Sequence, residues 1–290
     1  MPVRPRRSVL YMPGSNQRAL EKARTLAADT LVLDLEDSVG PEKKVEARDM
    51  VVAAVKAGGY GKREIIIRAN SLDSEWGEDD VRAIGLSGAD GVCLPKIENE
   101  AEVEAAIKVL NDVGAPETMQ VWVMIETPLG VTNIHQIASS DARMTVIAMG
   151  TTDLAKELRV PHRPDRIGLL HSLSQCVLAA RAHDKEILDG VYLDLQNDAG
   201  FTEVCQQGRD LGFDGKTLIH PKQLAAANDV FGPGADDIER AEKIIAAWKL
   251  AEAEGKGVVV VDGKLVEGMH VDEAKRHLLL AEKIAALTEA

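Results

Sequence analysis

The sequence predicts a (β/α)8 barrel with a C-terminal lid extension. Three observations predict it: eight short apolar runs, helix-like stretches between them, and ionisable residues gathered where the runs end. A chain of 290 residues suits one barrel of about 250 residues plus a short addition.

The runs are SVLYM (8–12), TLVLDL (30–35), EIIIRA (64–69), GVCLP (91–95), QVWVMIE (120–126), TVIAMG (145–150), ILDGVY (187–192) and GKTLIH (215–220). They are nearly continuous rather than alternating in polarity, as parallel strands covered on both faces are. Helical patterns fall between them at 17–28, 41–57, 99–112, 166–183 and 201–211, and Pro41 and Pro221 sit where a first helical turn can begin. Strand–helix alternation repeated in this way is the mark of the barrel. An open doubly wound sheet is the runner-up, but no GxGxxG follows the first run.

The barrel is expected over residues 1–230 and the extension over 231–290. GPGADD (232–237) reads as a turn and 236–254 as an amphipathic helix. GVVVVDGKLVEG (257–268) reads as a hairpin turning at Asp262-Gly263, and 271–288 as a last helix. This tail is a lid, or else a packing appendage over the barrel floor or an oligomer interface.

Aromatic residues make up only 3% of the chain, so the core must rest on Val, Ile, Leu, Ala and Met. A net charge of −13 argues against a nucleic-acid partner, which requires a basic face. An anionic ligand needs a local basic pocket instead. Cys93, Cys176 and Cys205 show no paired spacing, which fits a reducing cytoplasm. Cys93 lies inside a strand run and reads as core. No window approaches the ~18 apolar residues of a membrane span. Arg4, Arg6 and Arg7 read either as a basic tail or as contacts for phosphates.

The polar residues fall at run ends: Asp34, Glu36 and Asp37 after the second, Arg68 and Asn70 after the third, Lys96 after the fourth, Glu126 after the fifth, Asp153 after the sixth, His220 after the eighth. Barrel enzymes place their chemistry on that rim. Glu126 and Asp153 follow successive strands, so their carboxylates can converge on one cation. Two carboxylates plus waters suit Mg2+, with Mn2+ as the substitute, and no His/Cys cluster supports zinc. Arg68 offers a fixed charge beside that metal, able to hold an enolate, and is also placed to pair with Glu36 or Asp37. Lys96 is placed to pair with Glu98.

With these residues in hand, the chain resembles the citrate lyase β-subunit-like family of CoA-ester lyases. The resemblance rests on RSVLYMPGS (7–15), LVLDLEDSV (31–39), RAN (68–70), LPKIE (94–98), VMIETPLG (123–130), MGTTDLAKEL (149–158) and FDGKTLIHPKQ (213–223). It implies a Mg2+-binding barrel that acts on an acyl-CoA and an oxoacid and assembles as a homotrimer or hexamer exchanging lids. By motif, Glu126 and Asp153 match the metal ligands, and Arg68 matches the arginine that contacts the substrate carbonyl. Glu36 and Asp37 match the acidic pair beside it. Lys22 and Arg18 match basic residues near the CoA phosphates, and the backbone at Gly150 and Thr151 matches the cradle of the oxoacid carboxylate.

One departure concerns the lid, where Glu267 stands in place of the Asp such lyases carry as acid/base. An added methylene shifts a carboxylate far enough to cost roughly 10²-fold in rate. The reading that follows is a Mg2+-dependent lyase cleaving a malyl-CoA-like 3-hydroxyacyl-CoA. Its alternative is a (3S)-malyl-CoA thioesterase. A third reading, of another class, is a non-catalytic subunit that binds CoA esters.

Overall fold

In the computed structural model, which describes residues 3–288, the β-branched runs form eight strands: β1 (Ser8–Pro13), β2 (Thr30–Asp34), β3 (Glu64–Arg68), β4 (Gly91–Leu94), β5 (Gln120–Ile125), β6 (Met144–Met149), β7 (Glu186–Asp189) and β8 (Gly215–Leu218). Each pairs in parallel with its sequence neighbours, and β8 closes on β1, so the sheet is a complete barrel. Closure removes every edge, which leaves no unpaired ladder to protect. Each strand lies within two residues of its expected bounds, except that β7 stops earlier, at Asp189.

Side chains alternate across each strand. Val9, Val32, Ile66, Cys93, Trp122, Met124, Val146, Ala148 and Leu188 fill the barrel interior. The opposite faces are covered by helices such as Lys44–Ala57, Glu100–Asp112, Leu170–Ala182 and Asp198–Leu211. Pro41 opens a 3-10 turn before Lys44–Ala57, as its fixed φ favours. Helices Gly77–Gly85, Pro128–Thr132, Ile134–Ser139, Thr151–Glu157 and Leu224–Phe231 were not apparent from periodicity; most are too short to show an apolar stripe.

The barrel floor corrects the reading of the N-terminal arginines. Arg6 is buried there, with Nε 2.7 Å from Glu64 Oε2 and Nη2 2.6 Å from Glu64 Oε1. Its Nη1 reaches Glu186 Oε2 at 2.5 Å, and its guanidinium lies 5.2 Å from the Trp122 ring centroid. Glu64, Gln120 and Glu186 begin β3, β5 and β7, so one side chain ties three strand starts together. Arg7 is held by Asp29 through two 2.8 Å bonds. Neither is a free tail residue or a phosphate contact, because buried carboxylates at the strand starts claim both.

The chain divides into two compact units, one spanning Arg6–Val230 and the other built chiefly from Phe231 onward. In the second, helix Ala235–Ala253 packs with a hairpin of β9 (Val259–Val261) and β10 (Lys264–Val266) and with helix Gly268–Thr288. The hairpin turns at Asp262 and Gly263, with φ of 47° and 74°, the left-handed pair of a two-residue turn. Ala241, Ile244, Val266, Val271 and Ala274 form this unit's own core. Among the described residues, no helix is long and apolar enough to cross a membrane.

Candidate active site

Asp34 and Arg68 end β2 and β3 as register partners, which sets their side chains next to each other inside the barrel mouth. Arg68 Nε donates to Asp34 Oδ1 at 2.7 Å and Nη2 to Oδ2 at 2.8 Å. Nη1 lies 2.8 Å from Glu36 Oε2 and 3.6 Å from Asp37 Oδ2. The guanidinium carbon sits 4.8 Å from the Tyr11 ring centroid. A two-pronged carboxylate and an aromatic face together fix both the position and the plane of the group. Burial alone would raise the pKa of Asp34, but the bonds from Arg68 outweigh it and hold that carboxyl below its ordinary range. For Glu36 burial wins and its pKa is raised, although Arg68 and Lys96 pull the other way.

Glu126 immediately follows β5 and is 1% exposed. Its Oε1 accepts the backbone N–H of Lys96 at 2.9 Å. Lys96 holds a left-handed backbone, φ 52°, and this turn at the end of β4 aims its N–H at Glu126. The same residue's Nζ binds Glu36 Oε1. Burial pushes the Glu126 carboxyl up to about 7, and the Glu36 charge adds to that push. Gly150 lies against it: a Cβ there would collide with the Glu126 side chain. Gly150 also starts helix Thr151–Glu157, whose first turn carries Asp153.

Tyr11, Asp34, Asp37, Arg68, Met124, Glu126, Gly150, Thr151 and Asp153 line one cavity of about 570 Å³ at the C-terminal mouth of the barrel. A deeply buried carboxylate whose charge is disfavoured, facing a cavity shared with a second carboxylate, fits a divalent cation. Two carboxylates with waters and a substrate oxygen are the donor set of Mg2+ or Mn2+. Among the described residues no group of three or more His, Cys, Asp or Glu forms a metal cage, so such a cation would draw its remaining ligands from solvent and substrate.

The structure therefore brings Arg68, Asp37, Glu126, Gly150, Thr151 and Asp153 to one cavity, with Glu36 directly behind Arg68. Arg18 and Lys22 are exposed, one turn apart on helix Gln17–Ala23, and do not line it. Glu267 lies in the second unit, exposed, with its N–H donating to His270 Nδ1 at 3.0 Å. Lys96 pairs with Glu36 rather than Glu98, whose backbone N–H goes to Glu102. His220 is an exposed helix cap, its Nδ1 accepting the Lys222 N–H. Tyr11, Asp34 and Lys96 are the functional candidates that sequence reasoning left out. Asp34 and Lys96 stood among the strand-end charges, and only the register revealed what they hold.

A closed parallel barrel with a clamped arginine and two carboxylates lining one cavity at its C-terminal mouth defines a (β/α)8-barrel protein with a candidate site for an oxygen-liganded cation. Residues 7–221 match the family described as HpcH/HpaI aldolase/citrate lyase, and the chain belongs to that family. It is 49% identical over 282 residues to a (3S)-malyl-CoA thioesterase of Cereibacter sphaeroides, covering 97% of this chain and 96% of that one. It is 36% identical to the citrate lyase subunit beta of Escherichia coli, covering 96% and 94%. The CitE protein of Mycobacterium tuberculosis, in complex with magnesium, acetoacetate and coenzyme A, superposes with a TM-score of 0.75. That match has 25% identity and covers 97% of this chain and all of that one. The barrel and the family expected from the motifs are both present.

Proposed function

We propose that this protein is a Mg2+-dependent enzyme acting on a malyl-CoA-like 3-hydroxyacyl-CoA, and that hydrolysis of the thioester to malate and CoA is its main outcome. The observation that carries the reading is the Glu126–Asp153 carboxylate pair facing one cavity with the clamped Arg68. Substrate and outcome are supported by the 46–49% identity to malyl-CoA thioesterases, against 34–36% to citrate lyase beta subunits.

Glu126 and Asp153 would hold the metal, which when bound supplies Lewis-acid polarisation of a substrate oxygen. The protein's own residues do the rest. Arg68 Nη1 is turned to Glu36 and Met124, so the hydrogen on Nη2 that Asp34 does not engage would meet the thioester oxygen as negative charge gathers on it. Asp34, Glu36 and Tyr11 keep the guanidinium from turning away. Water adds to the thioester carbon and gives up a proton, the C–S bond breaks, and the departing thiolate takes up a proton and leaves as CoA. The amides at Gly150 and Thr151 would take the free carboxylate of the acyl group. Arg18 and Lys22, exposed on one helical face, would meet CoA phosphates.

Glu267 is proposed to serve as acid/base, reaching the site of a neighbouring subunit in a homotrimer or hexamer. Exposed Val258, Val260, Leu265 and Met269 on and beside the hairpin support a covered face there. Buried free thiols at Cys93, Cys176 and Cys205 support a cytoplasmic setting.

Carbon–carbon cleavage is the second reading, supported by the citrate lyase relatives. In it the 3-hydroxyl loses its proton, the C2–C3 bond breaks, and the enolate left behind takes up a proton at C2, giving glyoxylate and acetyl-CoA. Purified protein incubated with malyl-CoA and Mg2+ separates the readings. Free thiol and malate without glyoxylate support hydrolysis, and glyoxylate with acetyl-CoA supports the lyase. No turnover in the presence of Mg2+ leaves the non-catalytic CoA-ester-binding subunit and overturns both.

A further inference from the structure

We propose that a second cavity, beside the catalytic one, binds a small oxyanion: a carboxylate or a phosphate. It has a volume of about 310 Å³ and is lined by His162, Arg163, Arg166, Tyr192 and Asn197, with Val191 shared between its wall and that of the catalytic cavity. These residues come from the loop before helix Leu170–Ala182 and the loop between β7 and helix Asp198–Leu211.

The inference starts from a buried charge imbalance beneath this cavity. Arg166 Nη1 lies 2.6 Å from Asp189 Oδ1, and Lys216 Nζ lies 2.8 Å from Asp189 Oδ2. Lys216 also donates to the Gly190 carbonyl. Two cations therefore share one carboxylate, and Asp189 and Lys216 are fully buried. Uncompensated charge away from water is strongly disfavoured unless a counterion completes it. Burial and the Arg166 and Lys216 charges depress the pKa of nearby His162, as a positive field does.

A second observation points to a ligand. Arg166 is 5% exposed, yet its Nη2 is buried with no hydrogen-bond partner. Its Nε is taken by Gln207 at 2.6 Å and its Nη1 by Asp189. An orphaned donor on a guanidinium that forms a cavity wall suits a carboxylate or phosphate oxygen better than a neutral group. Arg163, paired at the surface with Asp165 at 3.0 Å, adds a second cation at the rim. Asp194 also lines the cavity, its Oδ1 accepting the Gln196 N–H, and its like charge opposes an anion on that side of the wall, so the occupant is placed on the Arg166 side.

The test is calorimetric titration of the full chain with inorganic phosphate and, separately, with malate, in the absence of divalent metal and CoA ester. The inference therefore stands or falls apart from the catalytic reading. Saturable binding of either anion is expected, weakened at least tenfold by Arg166→Lys, which keeps the charge on Asp189 but removes Nη2. Arg163→Ala, an exposed change that spares the packing, should weaken it several-fold. Glu126→Gln should leave it intact. Saturation by phosphate alone assigns the site to phosphate, and by malate alone to carboxylates. No saturable heat with either anion overturns the inference. So does binding unchanged in both arginine variants, or binding abolished by Glu126→Gln, which would locate it in the catalytic cavity.

Discussion

Arg68 meets Asp34 through two parallel hydrogen bonds of 2.7 and 2.8 Å across the β2–β3 ladder. Both side chains are nearly inaccessible to solvent, so each charge depends on the other. The pair also joins stability to the proposed chemistry, because the guanidinium it fixes lines the cavity at the barrel mouth.

Asp34→Asn should cost stability as well as turnover. Removing one partner of a buried pair typically costs roughly 3–5 kcal/mol; with Glu36 still in place the loss should fall at the lower end. Urea unfolding of the variant checks the first effect and steady-state kinetics the second. Unchanged stability would mean that Glu36 alone suffices to hold Arg68.

Metal-free protein should lose stability as pH rises toward neutrality, and Glu126 is the reason. Its folded pKa of about 7 lies above the ordinary 4.5. The folded state thus holds that proton more tightly than the unfolded chain. The stabilisation is fully present below about 4.5 and disappears as pH passes through about 7, a span worth about 3 kcal/mol. Thermal melts at pH 5 and pH 8 in a chelating buffer measure it. Glu126→Gln should flatten this part of the profile and abolish Mg2+ binding by calorimetry.

Gly150→Ala tests the close approach of the β6 rim to Glu126. The added methyl would overlap the Glu126 side chain. Overpacking of this kind costs roughly 1–3 kcal/mol and would displace the carboxylate proposed to hold the metal. Weaker Mg2+ affinity with a modest fall in melting temperature is expected; an unaltered Mg2+ isotherm would refute the contact's importance.

Lys96→Gly separates the two services of one residue. Glycine tolerates the left-handed backbone, so the N–H to Glu126 survives while the Nζ to Glu36 is lost. Activity should fall by about 10–100-fold, the usual cost of removing support behind a metal or its partner. Mg2+ affinity should change little. Lys96→Ala, which strains the turn, should impair both.

Most of the barrel was legible because its strands obey a simple rule: parallel strands covered on both faces are apolar along their whole length. Residues 65–67 and 121–125 are unmistakable for that reason. The short helices were not legible, since Thr151–Glu157 and Pro128–Thr132 have only seven and five residues, about two turns or fewer. At the rim, position relative to a strand end was enough to single out Arg68, Glu126 and Asp153, which line one cavity. Partnership was legible only in part: Arg68 does meet Glu36, as expected, but its two-pronged bond to Asp34 was not apparent. That Arg68 takes Asp34 in preference to Asp37 follows from β2–β3 register, and a linear reading does not carry register. Arg6 and Arg7 failed for a related cause: what makes them structural is Glu64, Glu186 and Asp29, residues far along the chain.

The Arg6 knot at the barrel floor has an evolutionary corollary. By binding the starts of β3, β5 and β7 from below, it anchors the scaffold at the pole opposite the chemistry. Changes among the upper loops leave that anchor untouched, so a lineage can trade one reaction for another without refounding its architecture.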